Sequence, residues 1–161
     1  RQRQMCIRDR DISIVSSDDG INSTATSGQG IVIDGGNLYI LAGGDGLDSN
    51  SRTAYSGIVF KGGKTVVIST SGGNSAIDTE AGYTYTSGSV LAIMPNGGMT
   101  SEATHCSNFS SVAKKISMSL SSGKTLTVSV SNSAILSVKI PCNLSAIVIY
   151  LGSTSANISL N

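Results

Sequence analysis

Asp19-Gly20-Ile21-Asn22-Ser23 recurs as Asp45-Gly46-Leu47-Asp48-Ser49, 26 residues further on, and a looser copy, Ala76-Ile77-Asp78-Thr79, places its Asp 30 residues after Asp48. Each copy follows an apolar run: Ile12-Ser13-Ile14-Val15, Leu38-Tyr39-Ile40-Leu41 and Val66-Val67-Ile68. Between them, Gly30-Ile31-Val32-Ile33-Asp34-Gly35-Gly36-Asn37 matches Gly57-Ile58-Val59-Phe60-Lys61-Gly62-Gly63-Lys64 at a shift of 27. A weaker third copy ends at Ser87-Gly88-Ser89 and leads into Val90-Leu91-Ala92-Ile93. Each module reads as a short strand, a Gly-Gly turn, a second strand and a polar loop holding an acidic residue. A repeat of this length, rich in Gly, Ser and β-branched residues, predicts a solenoid of stacked β-coils over residues 11–105. At about 26 residues per coil the expected form is an all-β, right-handed parallel β-helix. A left-handed one would show a hexapeptide period, which is absent.

The pattern changes near residue 104. Ile116 to Leu120, Thr125 to Val130 and Ile135 to Ile140 alternate apolar and polar residues, as half-exposed strands do. Residues 106–161 are therefore expected to form final β-coils or an antiparallel cap of the same domain, closing an end that would otherwise expose strand edges. Residues 1–10 stand apart. They hold four Arg and one Asp, and they resemble translated sequencing-adaptor DNA, so they are expected to be an extraneous or disordered arm. No cap precedes Asp11, so the chain is expected to be the C-terminal part of a longer protein.

Composition narrows the function classes. With 161 residues and 39% hydrophobic content, the chain can bury one domain-sized core. Charged residues make up 13%, against a typical value of about 25%. Ser, Thr, Gly and Asn take their place, as in secreted bacterial β-proteins. The net charge is +1, and because the first ten residues supply +3, the body carries −2. A near-neutral body argues against nucleic acid as a partner. No apolar run reaches the roughly 18 residues that a membrane span needs. The expectation is an extracellular or cell-surface monomer. Cys6 lies in the arm; Cys106 and Cys142 are either a disulfide of an exported protein or two small buried thiols.

Stacking turns the repeat into chemistry. Coils of a parallel β-helix lie about 4.8 Å apart. Asn22, Asp48 and Asp78 would form one ladder and Asp19 and Asp45 a second, with Glu80 close by. Carboxylates at that spacing repel, and either raised pKa values or a bound cation relieves them. Ca2+ takes six to eight oxygen ligands of the kind that Asp, Asn and Ser loops supply. The alternative is turn chemistry, in which Asx side chains cap coil corners. His105 is the only His, so zinc and any nucleophile–His–acid set are disfavoured.

Leu38-Tyr39-Ile40-Leu41-Ala42-Gly43-Gly44-Asp45-Gly46-Leu47-Asp48-Ser49-Asn50 resembles the signature of a bacterial carbohydrate-binding β-helix family. Val66-Val67-Ile68-Ser69-Thr70-Ser71-Gly72-Gly73-Asn74-Ser75-Ala76-Ile77-Asp78-Thr79 does so too. The resemblance implies a pectate-lyase-like fold, Ca2+ binding at acidic loop positions matching Asp45, Asp48 and Asp78, a secreted or surface location, and cellulose or polygalacturonate as partner. The likeness spans residues 11–161 and is sharpest at the GDGLDSN-type loop.

Sugar binding needs aromatic faces. Tyr39, Tyr55, Tyr83 and Tyr85 are the candidates in the repeat region, with Arg52 beside the Asp48 loop. Tyr39 alternates with Leu38 and Ile40 and should point out of the coil. Ca2+ bridging to a polyuronate is a second route to binding. Arg52, Lys61 and Lys64 are the candidate bases for lyase chemistry. A hydrolase needs a separated acid–base pair, wider than a ladder spacing. The sequence thus points first to a non-catalytic, Ca2+-binding polysaccharide module, then to a Ca2+-dependent polyuronate lyase or a degenerate relative, and third to a structural adhesin stalk.

Overall fold

The structure is a computed structural model that describes residues 5–7, 10–97 and 99–161. The chain winds through β1 (Met5–Ile7), β2 (Asp11–Ser16), β3 (Ile21–Ser23), β4 (Ile31–Ala42), β5 (Leu47–Ser49), β6 (Ile58–Ser69), β7 (Ile77–Thr79), β8 (Thr84–Tyr85) and β9 (Ser89–Pro95). Asp11 pairs with Asn37, Asn37 with Lys64, and Lys64 with Ser89, all in parallel, at intervals of 26, 27 and 25 residues. A second parallel sheet joins β3, β5 and β7 in the order of the repeat. This is a parallel β-helix of about 3 turns.

The repeated Asp-Gly explains the close stacking. A Cβ on Gly46 would lie 2.0 Å from Val67 Cγ1 and 2.6 Å from the Ala76 carbonyl oxygen. One on Gly20 would lie 2.4 Å from Ile40 Cγ2. The glycine lets one coil settle on the next while Ile21, Leu47 and Ile77, the following residues, fill the interior. Gly36 and Gly63 do different work: both have positive φ, at 76° and 79°, and turn the long β4 and β6 at their middles.

After β9 come α1 (Thr100–Ala103), α2 (Phe109–Val112), β10 (Ala113–Leu120), β11 (Thr125–Val130), β12 (Ser133–Lys139), β13 (Leu144–Leu151) and β14 (Asn157–Leu160). β13 joins β9 antiparallel, and β10 joins β13 antiparallel. The parallel stack thus ends in an antiparallel cap. β11, β12 and β14 form a separate sheet with β11 in the middle. It packs on the outside of the main sheet and makes a second core.

That second core accounts for the unbroken apolar runs of β9 and β13. Val90, Ala92 and Met94 enter the coil interior together with Ile147, Ile149 and Leu151. Leu91 and Ile93 join Ala146, Val148 and Tyr150 in the outer core. Strands buried on both faces lose their polar alternation.

Met5–Ile7, within the segment set apart by composition, pair in parallel with Ile31–Ile33. Residues 1–4, 8, 9 and 98 lie outside the described residues. The cysteines do not form a disulfide: Cys106 and Cys142 are free. Cys106 belongs to the coil interior, with its thiol on the Asn108 side-chain oxygen at 3.2 Å, whereas Cys142 sits in the link between β12 and β13.

Gly46→Val is expected to cost about 1–3 kcal/mol by overpacking. Gly72→Ala, with no atom within 4 Å of the new Cβ, is expected to be near neutral. Urea unfolding of the two variants checks both. Under native conditions Cys142 should react with iodoacetamide well before Cys106, as read by peptide mass spectrometry; burial shields Cys106 and pushes its thiol pKa up.

Candidate functional site

The β3–β5–β7 sheet sorts the repeat by side. Ile21, Leu47 and Ile77 point in, as do Ser23, Ser49 and Thr79. Asn22, Asp48 and Asp78, the residues between them, point out and lie in register, one coil apart. The expected first ladder is present as a row on the surface.

The second ladder continues into a different residue. Asp19 Oδ1 accepts the backbone N–H of Asp45 at 2.9 Å, and Asp45 Oδ1 accepts that of Ser75 at 2.6 Å. Each carboxylate binds the coil above it, and Ser75 ends the series. The Asn22 amide ties the two ladders together by donating to Asp19 Oδ2 at 3.2 Å and to Asp48 Oδ2 at 2.5 Å.

Crowding raises the acids. Burial and then the charges of Asp78, Asp19, Asp45 and Glu80 lift Asp48 to about 6. Asp78 rises to about 7, through burial first, then through a hydrogen bond and charge repulsion from Glu102, then through Glu80. Asp45 is raised by burial, and the Ser75 N–H pulls partly against that rise. Every charged neighbour among these causes is another carboxylate.

Glu102 was not visible in the repeat. It comes from α1, which packs against β7 outside the coil register. Its Oε2 is buried without a hydrogen-bond partner, and the Asp78 carboxyl, while it holds its proton, donates to Glu102. Glu80 and Glu102 also line an open cleft of about 470 Å3 with Thr79, Ser101, Thr104 and His105. Tyr55 packs against His105, edge to face, with ring centroids 5.4 Å apart. It is 41% exposed and holds a left-handed backbone, φ 54°. A bulky residue rarely adopts that conformation. Its N–H and C=O are both held, by Ala81 and by the Thr84 hydroxyl.

The other tyrosines divide. Tyr83 is 0% exposed and donates its hydroxyl to the Ala103 carbonyl, and its ring packs edge-on to Phe60. Tyr85 is buried too, with its hydroxyl on the Gly88 carbonyl. Both are core residues and offer no face to a sugar, which corrects their place among the sugar-binding candidates. They face inward because β8 pairs in parallel with β6, Thr84 beside Val59 and Tyr85 beside Phe60, so they continue the interior column of Ile58 and Phe60. Tyr39 does leave the coil interior as expected, but it becomes half-buried against the outer core, away from the acidic row. Arg52 is exposed on the loop after β5, and its backbone N–H binds the Thr26 carbonyl. Lys61 and Lys64 are exposed as well.

The donors are those Ca2+ prefers, but they do not make a cage. One oxygen each of Asp19 and Asp45 is committed to backbone N–H groups, and one of Asp48 to Asn22. Among the described residues no three His, Cys, Asp or Glu side chains converge to hold a metal ion. What remains is an outward pair of half-buried carboxylates, Asp48 and Asp78, of which Asp78 is already hydrogen-bonded to Glu102 and Asp45. No family model, curated protein or solved structure matches the chain. No helix among the described residues is long and apolar enough to cross a membrane.

The pH dependence follows from the acids. Asp48 and Asp78 hold protons more tightly folded than at their ordinary 3.8, so the folded chain binds extra protons between about pH 4 and 7. Their contribution to stability is present below that window and lost as pH rises through it. Asp78→Asn should flatten this fall and raise stability at pH 8. The gain should be on the order of 1 kcal/mol, because solvent screens these half-exposed groups. Chemical denaturation at pH 5 and pH 8 measures it.

Proposed function

We propose that this chain is a non-catalytic polysaccharide-binding module that works outside the cell, with cellulose or an acidic glycan as partner. The observation that carries this reading is the meeting of two surfaces. The outward row Asn22–Asp48–Asp78 meets Glu80 and Glu102 of the cleft at Asp78, and His105 in the cleft lining packs edge to face against the exposed ring of Tyr55. A glycan presents hydroxyls to carboxylates and amides along one edge, and a C–H face that stacks on an aromatic ring. The resemblance of the GDGLDSN-type loop to the calcium-binding carbohydrate-binding β-helix family supports the same assignment. Because the row is open and not a cage, Ca2+ enters as a bridging ion. The carboxylates of Asp48 and Asp78, once ionised, would hold one side of it and a sugar carboxylate the other. Such an arrangement suits a polyuronate and needs few protein ligands.

Arg52 gives the lyase reading its one foothold, as an exposed base on the loop that follows Asp48. The two readings part in one experiment. Retention on polygalacturonate gel and on cellulose is measured at pH 8 with Ca2+ and with chelator, while absorbance of unsaturated product is followed. Binding without product is expected, and on polygalacturonate it should weaken on chelation. Tyr55→Ala should weaken it by roughly 5–10-fold, the loss of one aromatic contact of about 1 kcal/mol. Tyr83→Phe should leave binding intact and cost only about 1 kcal/mol of stability, the worth of its hydroxyl bond. Product that disappears in Arg52→Ala would establish the lyase. Retention on neither polymer would leave the repeats as a stalk.

A further inference from the structure

A second surface lies away from the acidic row, where the outer sheet stops short of the first coil. The outward face of the main sheet runs in register through Ser13, Tyr39, Val66 and Leu91, and through Val15, Leu41, Ile68 and Ile93. The outer sheet buries the later members of both rows and leaves the earlier ones uncovered: Ile68, Leu91 and Ile93 are buried, whereas Val15 is 74% exposed. At this border a cleft of about 370 Å3 opens between β12 and the coils, with Tyr39 and Val66 on the solenoid side and Leu136 and Val138 on the β12 side. Exposed Ser137 lines it as well. Leu136 and Val138 project from one face of β12 and Ser137 from the other, so the cavity reaches round the strand's edge.

That edge is unpaired. Among the described residues β12 pairs only with β11. The direction of its backbone groups follows from the neighbouring pair. Thr125 exchanges both its backbone hydrogen bonds with Asn161, at 2.9 Å each way, so its N–H and C=O face β14. In an antiparallel ladder alternate residues face the same side, so Thr127 does likewise. Their partners across β12, Lys139 and Ser137, therefore point N–H and C=O outward, over the cleft. Exposed Lys64 lines the cleft from the coil, exposed Lys139 follows Val138 of its lining on β12, and neither makes an ion pair among the described residues. Asp11 also lines the cleft, and its carboxylate accepts the Asn37 amide at 2.6 Å.

We propose that β12 and the cleft beneath it accept an extended peptide segment of a partner protein, with apolar residues at every second position and an acidic residue near Lys64 and Lys139. The strand would add to β12 through the outward groups of Ser137 and Lys139, as in other edge additions. Its inward side chains would continue the outer core over Tyr39 and Leu41, extending a sheet-on-sheet interface that the molecule already builds. Its acidic residue would answer the two lysines. A second copy of the chain fits less well. Its β12, Ser133–Lys139, holds no acidic residue to answer the lysines.

A random heptapeptide display library selected on the immobilised full chain tests this. Enriched peptides should alternate apolar and polar residues and carry Asp or Glu. Synthetic versions should lose at least about tenfold in affinity against Ser137→Pro, which removes an outward N–H at an edge position where proline is tolerated. Ser137→Thr should bind as the parent does. Lys139→Glu should weaken the acidic peptides and spare Glu→Gln versions of them. Ser137→Pro should also keep its retention on polygalacturonate, which shows that the fold and the other surface are intact. The proposal is overturned if no alternating sequence is enriched, or if Ser137→Pro binds normally. It is also overturned if oligogalacturonate or cello-oligosaccharide displaces the peptide, which would make the cleft a sugar site. A dimer in sedimentation that Ser137→Pro dissolves would give the edge to a second copy instead.

Discussion

Everything in this molecule depends on how closely one coil can sit upon the next. The constraint is felt most at Gly20 and Gly46, where there is no room for a Cβ between stacked backbones. With the backbones that close, the parallel ladder of β3, β5 and β7 is continuous, and Ile21, Leu47 and Ile77 fill one column of the interior. The third coil carries Ala76 in the same place, fully buried, so the requirement eases toward the capped end.

The same closeness creates the surface chemistry. Residues that alternate with the buried column must face out, and the register then places Asn22, Asp48 and Asp78 in line. Asp19 and Asp45 are spent on holding coil to coil through backbone N–H groups, so turn chemistry and carboxylate crowding coexist in one structure. Protons held by Asp48 and Asp78 are the molecule's own answer to the crowding. A cation shared with a ligand is the other answer that the row leaves open.

Much of this was legible in the chain because a repeat records spatial neighbours as sequence neighbours one period away. The Asn22–Asp48–Asp78 row could be read directly from the 26-residue copy and its looser successor. What was hidden lies where the repeat ends. Tyr83 and Tyr85 look like surface aromatics among polar residues, yet β8 pairs with β6 and sets Tyr85 on the interior position of Phe60, with Tyr83 facing the same way. Glu102 reaches the acids from α1, a helix of 4 residues, too short to show a periodic signal. The alternation of β11 and β12 announced half-buried strands correctly. Which surface they cover is a long-range matter, and local pattern holds no trace of it.

β13 carries a consequence of a different kind. Its Ile147, Ile149 and Leu151 seal the coil interior while Val148 and Tyr150 anchor the outer sheet. Solenoids whose repeats touch only their neighbours fray from an end, one repeat at a time. Here β13, one strand in from the β10 edge, is shared by two cores, so the capped end cannot open without disturbing both. The capped end therefore behaves as a single cooperative block.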